Sequence, residues 1–166
     1  MRQLVILLLI ASALITASAS AINCVYRNVE THGYGCIVND LSTSEVTGVR
    51  GNHLAGKSNA DVLYFEGTSK TADFLPKRIR EQFPNVIALK FNFEKLEEII
   101  EEDLKPFGTK LTFLSITNSS IEVIPSSIFA STPNINSIYF ESPRLKSIEN
   151  GAFDRLQNLN GLFVKF

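Results

Sequence analysis

The residues best suited to chemistry in this chain are two cysteines and two histidines, and all of them fall within residues 24–53. An enzyme that works through a nucleophile needs that group beside a base and an orienting acid, and the chain offers no such set at a recognisable spacing. A zinc site would need four ligands, with only His32 and His53 available to help the two cysteines. The sequence therefore predicts a protein that is not an enzyme and holds no metal or cofactor.

Residues 1–21 are predicted to form a secretory signal peptide. Arg2 gives a positive start, residues 4–15 are apolar, and small residues at Ala17-x-Ala19 and Ala19-x-Ala21 offer two cleavage sites. A membrane anchor would need about 20 apolar residues, which this run does not reach. We therefore expect a secreted, extracellular chain with no membrane insertion after cleavage. With 16 Lys and Arg against 17 Asp and Glu, no basic excess suggests nucleic acid.

Cys24 and Cys36 are predicted to form a disulfide, because an isolated cysteine pair in an exported protein usually joins. Metal binding and two free thiols are the alternatives. Closing this short loop would stabilise the fold by about 3 kcal/mol in the chain-entropy estimate. Gly33 and Gly35 permit a tight turn between strand-like segments, so we expect a hairpin, pinned by the disulfide, that covers the first repeat.

Three other segments could suggest chemistry but have simpler interpretations. The acidic run 94–104 places its apolar residues at repeat positions, so its carboxylates are expected on solvated turns rather than in a calcium site. Gly51 and Gly56 near a lysine lack the spacing of a phosphate-binding loop. Asn118 begins an N-glycosylation sequon, and a glycan there would fringe the concave face described below.

A short motif of apolar residues, called a phrase below, recurs along the chain at steps of 24, 25, 24 and 24 residues. Each phrase has an apolar residue, a second one three positions later and usually a third two positions after that. Further apolar positions follow at fixed distances from each opening residue. A single coil of this kind cannot enclose its own apolar residues, so they leave water only when neighbouring coils stack. This period is typical of a leucine-rich repeat solenoid, and the phrases open at Val62, Val86, Leu111, Ile135 and Leu159.

The sequence therefore predicts an α/β repeat fold, a short right-handed leucine-rich repeat solenoid. A parallel sheet is expected on the concave side and irregular or one-turn helical segments on the convex side. Residues 22–61 are predicted to be an N-terminal cap containing the disulfide hairpin and a first strand near 45–51. Residues 62–166 are predicted to hold four full repeats and a fifth that is cut after its strand. Because the usual asparagine eight residues after each opener is absent, the turn geometry is left open.

Alternation along the strands predicts which residues face the concave side, because successive side chains in a strand point to opposite faces. Four aromatic residues are expected to be exposed there, and aromatic residues supply much of the energy at protein interfaces. The alternative is that aromatic residues simply suit strands. The predicted partner-binding residues are Tyr64, Lys90, Phe113, Ser115, Tyr139, Glu141 and Phe163.

The motifs together resemble secreted leucine-rich repeat proteins of dipteran insects. The resemblance rests on Cys24-x-Tyr26 through Tyr34-Gly35-Cys36, on the segment from Gly51-x-His53 to Asp61-Val62, and on the repeats, and it covers nearly the whole mature chain. It implies an extracellular solenoid that binds other proteins, distantly similar to the ectodomains of Toll-like receptors. It brings no catalytic residues.

These observations predict non-catalytic recognition of an extracellular protein or peptide through the concave sheet. The alternatives are a structural or self-assembling extracellular component, an enzyme or enzyme inhibitor of unrecognised type, and the front part of a larger leucine-rich repeat receptor. Since the printed chain stops after the fifth phrase, at Phe166, we also expect dimerisation through the C-terminal edge or continuation in a longer solenoid.

Overall fold

The computed structural model of the protein describes residues 20–166. The predicted signal peptide, residues 1–21, therefore lies outside the described residues except for Ser20 and Ala21. Within residues 20–166, no helix is long and apolar enough to cross a membrane.

In the described part of the chain the backbone forms short strands joined by turns and by single helical turns. Two helical segments, α1 and α2, span Ile79–Gln82 and Glu101–Leu104, and 3-10 turns span Asn59–Asp61 and Lys105–Lys110. The strands are β1 (Ala21–Asn23), β2 (Val25–Val29), β3 (Gly33–Val38), β4 (Gly48–Arg50), β5 (Tyr64–Ser69), β6 (Ala88–Phe93), β7 (Phe113–Thr117), β8 (Val123–Ile124), β9 (Ser137–Glu141), β10 (Ser147–Ile148) and β11 (Gly161–Lys165).

The strands of the repeats form one continuous parallel sheet. Its order is β11-β9-β7-β6-β5-β3-β2, and every pair from β3 to β11 is parallel. Each repeat phrase opens just before its strand, and equivalent residues of successive phrases lie opposite one another. The parallel sheet and its register confirm a leucine-rich repeat solenoid-like fold, whereas its right-handedness stays a prediction.

Apolar residues from neighbouring coils form a single core. The opening residues of the first four phrases are fully buried, as are the large side chains Phe65, Phe83 and Phe91. Their rings pack in a chain, with centroids 5.8 Å apart for Phe65 and Phe83 and 6.0 Å apart for Phe65 and Phe91. In the first repeat Ile79 is buried in place of its neighbour Arg80, which restores the apolar pattern.

The N-terminal cap continues the repeat sheet rather than standing apart from it. Strands β2 and β3 form an antiparallel hairpin, and β3 pairs in parallel with β5. The predicted disulfide is confirmed, since Cys24 and Cys36 are joined with their Cα atoms 5.1 Å apart. The strand predicted near 45–51 is shorter, Gly48–Arg50, and it pairs with β1 instead of with the repeats.

Aromatic and polar contacts hold the glycine-rich loop against the cap. The ring of His53 stacks on Tyr26 at a centroid distance of 3.8 Å, and its Nδ1 lies 2.9 Å from the hydroxyl of Tyr34. The Tyr26 hydroxyl donates to Asn59 Oδ1 at 2.7 Å. Burial, reinforced by Tyr34, raises the pKa of Tyr26 to about 12, so this hydroxyl remains a donor at physiological pH. The histidine and asparagine in this motif therefore have a structural role.

The convex side consists of the one-turn helices and a small parallel ladder between β8 and β10. The acidic run 94–104 buries Leu96, Ile99 and Leu104, while Glu97 and Glu98 are exposed. The expectation of solvated carboxylates therefore holds for Glu97 and Glu98, whereas Glu101 and Asp103 are half-buried and accept hydrogen bonds from Ser131 and from the Ile100 amide. The helices are short because each has only to return the chain from one strand to the next.

The asparagine that usually bonds to the backbone of leucine-rich repeat turns is missing here. Buried serine hydroxyls make backbone hydrogen bonds in its place. The hydroxyl of Ser142 lies 3.0 Å from the carbonyl of Ser119 and 2.7 Å from that of Ile121, in the adjacent coil. The hydroxyl of Ser69 accepts from the amides of Thr71 and Ala72 at 3.3 Å and 3.0 Å. Two of the turns that the sequence left open are therefore closed by serine.

One buried hydroxyl has no such partner. Thr132 is fully buried, and its Oγ1 makes no hydrogen bond within the described residues. A buried polar group without a hydrogen-bond partner loses its hydrogen bonds to water and forms none in the protein. We predict that Thr132→Val raises the free energy of unfolding by about 1 kcal/mol, because valine fills the same volume without the hydroxyl.

The matched control is Ser142→Ala, which removes a hydroxyl that has two buried partners and should lower the free energy of unfolding by about 1 kcal/mol. Urea denaturation of both variants measures the two changes. A destabilised Thr132→Val variant would show that the hydroxyl has a partner after all.

Candidate binding surface on the concave sheet

Strand register assembles the predicted concave residues into columns that run across the sheet. The column through Phe113 contains Tyr64, Ala88, Ser137 and Gly161, each opposite the next. The neighbouring column contains Glu66, Lys90, Ser115, Tyr139 and Phe163. On a third column, Thr68, Asn92 and Thr117 are aligned and Glu141 lies opposite Lys165. The structure thus brings together the residues that were predicted for partner binding.

Two of those residues are not accessible, so the expectation that they are exposed was wrong. Tyr64 and Ser115 each expose only 3% of their surface. Ser115 is a small residue between Lys90 and Tyr139 on the flanking strands. Tyr64 lies beneath His32, and its hydroxyl donates to Glu66 Oε2 at 2.9 Å. Burial, followed by this hydrogen bond, raises the pKa of Tyr64 well above its ordinary value.

The tip of the β2–β3 hairpin folds onto the concave face. The His32 ring stacks almost parallel on Tyr64, at a centroid distance of 5.1 Å and an angle of 5°. The centroid of the Phe113 ring lies 4.4 Å from that of His32. The turn is closed by the His32 amide, which donates to the Val29 carbonyl at 3.1 Å, and by Gly33 with a positive φ of 79°. Sequence reasoning missed His32 as a surface residue, because only its place beside a turn glycine hinted at its position.

A second aromatic pair lies across the concavity from His32 and Phe113. The rings of Tyr139 and Phe163 come from adjacent strands and stack at 4.4 Å with an angle of 10°. Phe163 exposes 46% of its surface, and Tyr139 is half-buried. Stacked rings on neighbouring strands form a flat apolar platform that water covers poorly.

Small residues separate the two aromatic groups. Ser137 and Gly161 lie beside Phe113 in its column, and a Cβ at position 161 would come within 2.9 Å of the Ser137 hydroxyl. A concavity of about 910 Å³ extends from the hairpin tip across the sheet to β11. We call the part of it between the two aromatic groups the aromatic notch, and define it by Phe113, Ser137, Tyr139, Gly161 and Phe163.

Two ion pairs bridge neighbouring strands beside the notch. Lys90 Nζ lies 3.0 Å from Glu66 Oε1, and Lys165 Nζ donates to Glu141 Oε1 at 2.6 Å. The hydrogen bond with Glu141 raises the pKa of Lys165, so this ammonium stays charged at physiological pH. Opposite charges directly across parallel strands support the register that places them there.

Asn118, the predicted glycosylation site, lies at the rim of the same concavity. It follows β7, is exposed and has a positive φ of 54°. Its glycosylation stays a prediction.

The chemistry available on this surface is apolar contact, hydrogen bonding and ion pairing. In the described residues, no group of three or more His, Cys, Asp or Glu side chains could hold a metal ion. Cys24 and Cys36 are joined to each other and do not titrate. The stacked rings and the ion pairs of this surface are suited to recognition by shape and charge.

Comparison with known proteins matches part of the repeat region. Residues 109–166 match the leucine rich repeat family. A chain in the structure of the Toll–Spatzle complex, a molecular hub in Drosophila development and innate immunity, superposes with a TM-score of 0.51 at 17% sequence identity. The likeness covers 69% of this chain but only 16% of that one, so this chain corresponds to less than a fifth of its neighbour. No curated protein matches the sequence. The match to the leucine rich repeat family thus covers about a third of the chain, and the fold is similar to part of that larger chain.

The burial of His32 predicts how the stability of the protein depends on pH. Burial lowers the pKa of His32 below its ordinary value of 6.5. Below pH 6.5 the unfolded chain therefore binds a proton more readily than the folded chain, and stability falls as the pH drops. We predict that the melting temperature falls between pH 7.5 and pH 5 by more in the parent than in a His32→Phe variant.

The phenylalanine variant keeps a ring over Tyr64 but cannot titrate, so it isolates the contribution of the proton. Thermal melts at the two pH values measure the difference. Equal falls in the parent and in His32→Phe would show that His32 titrates as it does in the unfolded chain.

Proposed function

We propose that this chain is a secreted, non-catalytic module that binds a protein or peptide outside the cell through its concave sheet. The observation that carries the proposal is the aromatic notch, where Phe113 and the stacked pair Tyr139 and Phe163 flank a floor of small residues. Aromatic side chains that are half-buried before binding are effective anchors for a partner, because they lose little conformational freedom when they are covered.

The comparisons support the general class of this function. Leucine-rich repeats stack into extended concave surfaces that bind other proteins. The neighbouring structure is itself a complex of two proteins, Toll and Spatzle. At 17% identity the likeness concerns the fold, so the ligand of this chain follows from its own surface and not from that complex.

The first test of the proposal is to remove the aromatic platform. We predict that Tyr139→Ser combined with Phe163→Ser weakens binding of the main partner captured from the source organism's secretions by about 2 kcal/mol or more. Both rings are partly exposed, so their removal should change the melting temperature little. Surface plasmon resonance with the captured partner measures the loss.

Val123→Ser is the matched control, since Val123 is an exposed apolar residue on β8, outside the concave sheet. This variant should bind as the parent does. A folded double variant with unchanged affinity would place the binding surface elsewhere on the molecule.

Export from the cell is the second part of the proposal, and the disulfide supports it. The contacts of the first described residues favour one of the two candidate cleavage sites. The amide of Thr47 donates to the Ser20 carbonyl at 3.2 Å, and Ala21 pairs with Gly48 in the β1–β4 ladder. Cleavage after Ala19 keeps these contacts, whereas cleavage after Ala21 removes them.

We therefore predict that the secreted protein begins at Ser20. The intact mass of the protein secreted from eukaryotic cells gives its first residue. If the parent is heavier than an Asn118→Gln variant by more than the substitution explains, Asn118 carries a glycan. A secreted chain that begins at Ile22 would show that the β1–β4 ladder does not need these two residues.

A self-assembling component is the runner-up function, and one observation favours it. Leu162 lies opposite the core residue Ile138 in the sheet, yet it exposes 48% of its surface, because β11 pairs only with β9 in the described structure. We predict that the isolated chain dimerises through this edge, and that Leu162→Glu abolishes the dimer. In a larger receptor the same edge would carry a further coil.

Light scattering after size exclusion distinguishes monomer from dimer, and Val123→Glu, which also places one carboxylate at an exposed apolar position but outside the concave sheet, controls for added negative charge. If the parent is a monomer at tens of micromolar, the β11 edge does not drive association.

A further inference from the structure

We propose that the occupant of the concave sheet is an extended acidic segment of a partner protein that carries one aromatic or other large apolar side chain. This inference rests on the proposed function and specifies the chemistry of the ligand. Three features of the surface carry it: the exposure of its charges, the shape of the aromatic notch and the distance between its cations.

In both ion pairs the ammonium is the accessible partner. The side chain of Lys90 is 37% exposed against 15% for Glu66, and that of Lys165 is 57% exposed against 27% for Glu141. A ligand that approaches the sheet therefore meets ammonium groups, while the carboxylates lie deeper and are already engaged. An incoming carboxylate can share these ammonium groups without displacing any protein group.

A third cation extends the same surface onto the cap. Arg27 lies opposite Gly35, which lies opposite Tyr64, so Arg27 continues the column of Phe113, and it is exposed. By the alternation of side chains, the concave-facing residues on the seven strands of the sheet include three cations and only two carboxylates. The whole chain nevertheless has a net charge of −1.

The charge of the molecule is therefore distributed unevenly. The exposed carboxylates Glu97 and Glu98 lie in the acidic run on the convex side, away from the concave columns. A surface with this polarity attracts acidic ligands to its concave face and disfavours basic ones.

The aromatic notch fits one large side chain of such a ligand. Phe113 on β7 and Phe163 on β11 are two strand steps apart across the sheet and two residues apart along the strands, which corresponds to about 12 Å. Between them Ser137 and Gly161 provide a low floor, because position 161 has no Cβ. An aromatic ring placed here would have ring contacts on both sides.

The positions of the ammonium groups set the spacing of the acidic residues. Lys90 on β6 and Lys165 on β11 are three strand steps apart, about 14 Å across the sheet, and two residues apart along the strands, which gives about 16 Å in all. An extended chain covers this distance in about five residues. The expected ligand thus has two acidic residues about five positions apart and an aromatic residue between them.

A library of random twelve-residue peptides displayed on phage, selected on the immobilised mature chain, tests the proposal. Peptides enriched in Asp and Glu around one aromatic residue are expected, and synthetic copies should bind less tightly as the salt concentration rises. Binding should weaken about tenfold in a Lys90→Gln/Lys165→Gln variant, the cumulative loss of two exposed charge contacts.

Glu141→Gln provides a change in the opposite direction, because it releases Lys165 from its internal partner, and it should tighten binding of the same peptides. A variant that gains affinity is not misfolded. Lys146→Gln is the matched control, since Lys146 forms an equivalent ion pair with Glu122 at 2.7 Å outside the concave sheet. It should leave the affinity unchanged.

The outcomes separate this inference from the function on which it rests. Peptides that need Tyr139 and Phe163 but show no acidic enrichment, and no response to Lys90→Gln/Lys165→Gln, would overturn the acidic ligand and leave the concave site intact. If no selected peptide depends on the notch, both proposals fail. Competition by a second copy of the chain, lost in a Glu97→Gln/Glu98→Gln variant, would assign the face to self-association and overturn the partner segment.

Discussion

The stacking of each coil on its neighbours is the interaction on which the rest of the structure depends. A single coil is too thin to enclose Phe65 or Phe91, so these rings leave water only when adjacent coils cover them. That requirement fixes the register of the strands, because a slip of one residue would move every apolar side chain to the concave face. The columns of the binding surface follow directly from the same register.

The cap obeys the same constraint and has a second effect. The outer side of the first coil would be bare without β3, which pairs with β5, and Leu41 fills the space left open by Gly67. The hairpin that supplies this cover also brings His32 over the concave face. One element, the β2–β3 hairpin, thus both protects the core and shapes the surface. The disulfide joins Cys24, just before β2, to Cys36 in β3.

Pairing across strands also decides the electrostatics of the face. Glu66 reaches Lys90, and Glu141 reaches Lys165, only because parallel strands in register bring equivalent positions side by side. Each pair leaves its ammonium as the more exposed group. A surface built in this way presents positive charge on a chain that is slightly negative overall, and it does so beside the apolar platform of Tyr139. Charge and apolar contact are therefore available to the same ligand.

The sequence alone determined the repeat, the parallel strands, the buried apolar positions of the repeats, the disulfide and the composition of the columns. These features follow from periods of two and about 24 residues, which are properties of a linear pattern. Only the tertiary structure decided that His32 buries Tyr64, that Ser142 closes a turn without the usual asparagine, and that β4 pairs with β1. Those contacts join residues about 20 to 30 positions apart through turns of irregular path, and no periodicity specifies which side chain comes to lie above a strand.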